Sequence, residues 1–154
     1  MKLTESQEEY LKTIYLLEKN SEKVRVTDIA DKLKITKPSV NKAMKNLKEM
    51  ELIKYQTYGN IELTKNAEEI AKKVLKKQDI IEIFLKEILE VDESQAIEEA
   101  KAMKYAISEE TEQKLDNYIS KILNLGDLKC GYNSDNEKCK IFYYIYLTNH
   151  PLYK

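Results

Sequence analysis

Apolar positions recur at helical spacing through most of the chain. Tyr10, Leu11, Ile14, Tyr15 and Leu17 fall on one face of a first helix. Thr4 or Ser6 can cap its start, and Asn20-Ser21 ends it. Val24-Arg25-Val26 is a short β-prone piece. Thr27 then reads as the cap of a second helix with Ile29, Ala30 and Leu33 inward. Lys34-Ile35-Thr36 is a tight connection. Thr36 has N-cap chemistry, and Pro38 falls in the first turn, where its missing N–H costs nothing. A third helix is predicted from about Lys37 to Met50, with Val40, Met44 and Leu47 inward.

The period then shortens. Leu52-Ile53-Lys54-Tyr55 and Ile61-Glu62-Leu63 flank Thr57-Tyr58-Gly59-Asn60, the pattern of a β-hairpin. Thr64 reads as the cap of a helix over about 65–77. Further helices are expected at about 78–90, 93–106 and 108–124, before a break at Leu125-Gly126-Asp127. An aromatic run, Ile141 to Leu147, reads as strand. The expected fold class is mainly α. A winged helix-turn-helix occupies 1–72, an all-helical region 73–126, and a short strand-like aromatic tail with room for a hairpin 127–154.

Composition supports this picture. Three Gly, two Pro and 34% charged residues suit helices, and 42% hydrophobic residues with net charge −1 argue against disorder. Met1 to Ser6 has no apolar run behind it, so no secretory leader is expected. The most apolar helical stretch, Ile80 to Leu89, is interrupted by Glu82, Lys86 and Glu87, whereas a bilayer span needs roughly 20 apolar residues. The expectation is a cytoplasmic protein with no membrane partner. Two cysteines, Cys130 and Cys139, make no disulfide framework.

The near-neutral total hides an asymmetry. Residues 1–75 carry 15 basic and 12 acidic side chains, and residues 31–60 carry 7 and 3, whereas 76–154 carry 11 and 15. A basic stripe in a neutral chain points to a local anionic partner, although charge alone also fits a solvated face. Order narrows the choice. Two short helices, a three-residue turn and a hairpin form the sequence of elements that lays its second helix in a DNA major groove. The outward positions there are Lys37, Ser39, Asn41, Lys42, Lys45 and Lys48. Lysines neutralise phosphates, while Ser39 and Asn41 are placed to reach base edges. The candidate contacts to double-stranded DNA are Thr36, Lys37, Pro38, Ser39, Asn41, Lys42 and Lys45, with Tyr58 and Asn60 at the wing tip.

These residues resemble a known family. Thr4 through Tyr15, Val24 through Ala30, Lys37-Pro38-Ser39-Val40-Asn41 and Tyr58 through Thr64 are similar to the diphtheria toxin repressor and manganese transport regulator family. The resemblance extends to about Leu123. It implies a homodimeric repressor, with a dimer interface built from the helices after about residue 73. Apolar faces such as Ile80, Ile83, Phe84 and Ile88 suit that interface. It also implies that DNA affinity is raised by Mn²⁺ or Fe²⁺.

The family's ligand positions carry over unevenly. Glu9 is retained, and Glu82 keeps an accessory acidic position. Lys12, Gln78, Lys101, Lys104 and Tyr105 stand at the others, and the one histidine, His150, is in the tail. No cofactor is therefore predicted. Either the site is dead, or Lys12, Lys101 and Lys104 supply the cation's charge opposite Glu8, Glu9 or Glu82. Two alternatives stay open. One is a metal- or redox-responsive repressor with a relocated site at Cys130 and Cys139, with His150 nearby in sequence. The other is a protein-interaction module on the same fold, favoured by the aromatic tail and by Gly59 where relatives often have Arg. No catalytic constellation or phosphate-binding loop is visible, so an enzyme is not expected.

Overall fold

The computed structural model describes residues 3–55 and 59–122, and the backbone of 132–133 and 138–139. The chain divides into two compact units, Met1–Lys73 and Val74–Lys154. It is mainly helical, as its periodicity predicts. Among the described residues no helix is long and apolar enough to cross a membrane.

In the first unit α1 spans Glu5–Asn20, α2 Val26–Leu33 and α3 Lys37–Glu49. Strands β1 (Ile53–Tyr55) and β2 (Ile61–Leu63) pair antiparallel, with Lys54 opposite Glu62. Thr4 starts α1 with a reciprocal cap. Its Oγ1 accepts from the Gln7 N–H, and Gln7 Oε1 accepts from the Thr4 N–H. Leu11, Ile14, Ile29, Val40, Met44, Leu47, Leu52 and Ile61 are fully buried and form the core under the three helices and the hairpin. Each such side chain contributes about 1.5–3 kcal/mol by leaving water.

Two boundaries differ from the sequence reading. Helix α2 begins at Val26, not after Thr27, because the Asp28 carboxylate accepts from the Arg25 N–H at 2.8 Å. The β-prone residue Val24 joins no strand, yet its carbonyl accepts from the Ile61 N–H at 2.9 Å and so lies along the hairpin.

Helix α4, Lys65–Ile83, is continuous where a break near residue 77 was expected. No Gly or Pro interrupts it. Thr64 caps it, accepting from the Ala67 N–H. It then widens into a turn of π-helix, Phe84–Ile88, with the Leu89 N–H donating to the Phe84 carbonyl. The stop comes at Glu90, which takes a left-handed conformation with φ 56°. In the second unit α5 (Glu93–Ala106) and α6 (Glu109–Ile122) pack on this turn. Their core is Ile81, Leu85, Ala96 and Ala100, with Phe84, Val91, Met103, Ile107 and Leu115 around it. Ile80 and Ile83, expected to face a partner, are buried within the single chain, and Phe84 packs on this core. Among the described residues of this unit, Leu89, Tyr118 and Ile122 are the large apolar side chains that are exposed.

Backbone pairing of Tyr132–Asn133 with Lys138–Cys139 forms a second small hairpin, β3–β4. The expected strand over 141–147, and the residues Cys130 and His150, lie outside the described residues, as does the Cys139 side chain.

Candidate nucleic-acid interface

The turn between α2 and α3 is tight because Lys34 adopts a left-handed conformation, φ 55°, that reverses the chain in one step. The Ile35 N–H then returns to the Ala30 carbonyl at 3.1 Å. Thr36 caps α3 as its sequence suggests. Its Oγ1 accepts from the Ser39 N–H, and the two hydroxyls lie 2.9 Å apart. Pro38 occupies the first turn. With Val40, Met44 and Leu47 buried, α3 exposes Lys37, Pro38, Ser39, Lys42, Lys45 and Lys48, while Asn41 is half-buried at the edge of that face. Four exposed lysines and a positive helix N-terminus make this surface attractive to polyanions.

Three contacts that the sequence did not reveal hold this face in place. Tyr55, buried on β1, donates from its hydroxyl to Asn41 Oδ1 at 2.8 Å. Gln7 Nε2 donates to Asn46 Oδ1 at 2.8 Å and ties α1 to α3. Glu18 Oε1 accepts from the Leu63 N–H at 2.9 Å, joining the end of α1 to β2. Burial pushes the Glu18 carboxyl above its ordinary range; the Leu63 N–H opposes this, and the charges of Glu68 and Glu62 add to it. Asn60 is also committed within the fold. Its Oδ1 accepts from the Val24 N–H at 2.7 Å, and its Nδ2 donates to Glu62 at 3.0 Å. Tyr58 lies outside the described residues.

The positions matched to metal ligands separate into two settings. In the first unit Lys12 is only 7% exposed, and its ammonium pairs with Glu9 one turn away. In the second, Lys104 is 3% exposed and donates to Gln78 Oε1 at 2.9 Å, with its Nζ 4.8 Å from the Tyr105 ring centroid. That unit also buries the carboxylates of Asp79 and Glu82. Lys101 does not share the setting. It reaches solvent and pairs with Glu98 of its own helix at 2.9 Å, not with an acidic residue of the matched set.

Comparison with known proteins gives this arrangement a family. Residues 2–61 match the description "Iron dependent repressor, N-terminal DNA binding domain", and residues 64–124 match "Iron dependent repressor, metal binding and dimerisation domain". An HTH-type transcriptional regulator of Methanocaldococcus jannaschii is 36% identical over 120 residues, covering 77% of this chain and 96% of that one. The chain belongs to the iron-dependent repressor family. Another relative, the HTH-type transcriptional regulator MntR of Shouchella clausii, is 30% identical over 105 residues, 68% of this chain and 73% of that one. The solved manganese regulator SloR overlays with a TM-score of 0.66 at 29% identity. The match covers 74% of this chain but only 53% of SloR, so the chain spans about half the length of that relative.

The resemblance read from the sequence is thus confirmed at the level of family and fold, and the chain is a transcriptional regulator with a DNA-binding and a dimerisation domain. The residues that the sequence reading matches to the family's ligands include two covered lysines, Lys12 and Lys104, each with a polar partner. Mn²⁺ and Fe²⁺ take carboxylate and imidazole donors, whereas here ammonium groups stand on Glu9 and on the Gln78 amide oxygen. Among the described residues no group of three or more His, Cys, Asp or Glu side chains is gathered as a metal would require.

Proposed function

We propose that this member of the iron-dependent repressor family is a cytoplasmic, homodimeric repressor that binds duplex DNA without using the family's metal site. Contacts to DNA come from Lys37, Ser39, Asn41, Lys42 and Lys45 of α3, with Thr36 and Pro38 setting the helix start. The observation that carries the reading is the exposed lysine face of α3 beside a buried, capped inner face. Phosphate contacts from such lysines position a helix in the groove, and polar residues near its N-terminus reach the bases. Asn60, held by the Val24 N–H, supplies the wing's contact. The exposed Leu89, Tyr118 and Ile122 suit a two-fold contact in the second unit. Such a dimer would set two recognition helices roughly 34–36 Å apart, one DNA turn. The protein has no catalytic role in this reading.

Metal independence is supported by the ammonium groups of Lys12 and Lys104. Each is buried with a polar partner within its own unit, at a position that the resemblance matches to a family ligand. Titration of the dimer against its operator in EDTA, and again with Mn²⁺ or Fe²⁺, tests this. Equal affinity in all three conditions is expected. A large loss in EDTA would overturn the reading. Metal dependence that vanished on replacing Cys130 and Cys139 would put a relocated site in its place.

A further inference from the structure

We propose that Tyr55 determines which bases α3 can read, by holding the Asn41 amide in one orientation with its oxygen tied to the wing. The inference rests on α3 being the DNA-reading helix. Tyr55 is the last residue of β1, paired with Ile61 across the hairpin, and it is buried. Its hydroxyl donates to Asn41 Oδ1 at 2.8 Å, and Asn41 lies at the edge of the exposed face beside Lys42 and Lys45.

An unrestrained asparagine amide interchanges oxygen and nitrogen by rotation about its last bond, so it can offer an acceptor or a donor at the same point. Here the flipped amide would make the phenol accept from Nδ2. The phenol's own proton would then lose this acceptor in a buried site, which disfavours the flip. The amide's remaining donating capacity is the pair of Nδ2 hydrogens. In the major groove these match acceptors: N7 and O6 of guanine, N7 of adenine, or O4 of thymine. Cytosine presents a donor, N4–H₂, and is rejected. The two-bond contact to adenine needs the asparagine oxygen as well, to accept from N6–H, and the Tyr55 hydroxyl already occupies one of that oxygen's two lone pairs and fixes its direction, which disfavours this contact. Tyr55 is therefore a positioning residue. It acts through Asn41 and gives α3 one position that favours a base carrying an acceptor (guanine, adenine through N7, or thymine) over cytosine, without relying on the adenine amino group.

The test is selection of duplexes from a random library by the full-length dimer. Titration of single-base variants of the selected site follows, for wild type, Tyr55→Phe, Asn41→Ala and Asn41→Asp. Wild type should favour an acceptor base over cytosine at one position per half-site by roughly ten-fold. Asn41→Ala should flatten that position. Tyr55→Phe should lose most of the preference at the same position, with unchanged salt dependence and unchanged affinity for non-specific DNA. A purely structural hydroxyl would not confine its effect to one base pair. Asn41→Asp, which can only accept, should turn the position toward cytosine, and it carries the test if Tyr55→Phe melts early. Full preference retained in Tyr55→Phe, or a change at a different position from Asn41→Ala, would overturn the inference and leave α3 as the reader. A wild-type choice of adenine that disappears with purine in its place would do the same. Absence of any selection by wild type would remove the DNA-reading assignment, and this inference with it.

Discussion

The lysines of α3 and those at the metal-matched positions carry the same charge into opposite surroundings. Lys37, Lys42, Lys45 and Lys48 stand in water, while Lys12 and Lys104 are almost wholly covered. An exposed ammonium keeps its hydration and costs the fold little, so it is available to a phosphate partner. A covered one has given up that hydration, and several kcal/mol must be offset by partners inside the protein. Lys12 has Glu9, and Lys104 has the Gln78 oxygen and the Tyr105 ring face. The difference teaches that residue type alone does not assign a lysine to DNA or to the interior. Its place on the helix does.

Reversing a covered charge should produce the largest effect. Lys104→Glu adds another carboxylate to a unit that already buries Asp79 and Glu82. It should lower unfolding stability by about 3–5 kcal/mol, measured in urea. Lys104→Met, which keeps the bulk and drops the charge, should cost much less. Lys101→Glu, on the same helix but in solvent, should stay within about 1 kcal/mol. If Lys104→Glu and Lys101→Glu were equally mild, the contrast between covered and exposed lysines would break.

The exposed group should respond in the opposite observable. Lys42→Ala and Lys45→Ala should leave stability within about 0.5 kcal/mol. Each should weaken DNA binding several-fold on every sequence, and each should reduce the slope of log K against log salt by about 0.9. A loss confined to one sequence would move that lysine from phosphate to base contact. A change in melting without a change in slope would move it into the fold.

The two groups of lysines were not equally legible in the sequence. Features that depend on neighbours were readable, because the chemistry lies within one turn. Thr36 with Pro38 marks the start of α3, and the spacing of Val40, Met44 and Leu47 fixes which face is outward. The alternation Ile53-Lys54-Tyr55 and Ile61-Glu62-Leu63 likewise gives strands buried at their ends. Features that depend on distant partners were not readable. The contact from Tyr55 to Asn41 crosses from strand to helix, and nothing local marks it. Lys101 and Lys104, three apart, read alike in the sequence, as stand-ins for the cation's charge. Three residues is less than a full turn, however, so two side chains at the border of a buried stripe can part, one inward and one to solvent. Asn60 read as an exposed tip because its partner, the Val24 N–H, lies 36 residues earlier.

Glu18 is the intermediate case and should show the smallest effect. It is half-buried at the end of α1, with the Leu63 N–H donating to it and Glu68 and Glu62 repelling it. Its folded pKa is raised above the ordinary 4.5, first by burial. A carboxyl raised in this way binds its proton more readily folded than unfolded. The stability it contributes is therefore complete below the ordinary value and is lost as pH rises through the folded one. Near neutral pH the folded chain holds a half-covered charge beside like charges. Glu18→Gln removes that charge and keeps an oxygen for the Leu63 N–H, so it should raise the melting temperature slightly at neutral pH. The gain should shrink as pH falls through the raised folded pKa and vanish near the ordinary one, where wild-type Glu18 is itself protonated. Melting curves of the two proteins across that range provide the measurement. A gain that persists unchanged in acid would come from the new amide's packing, and half-covering a charge would then carry no cost at this position.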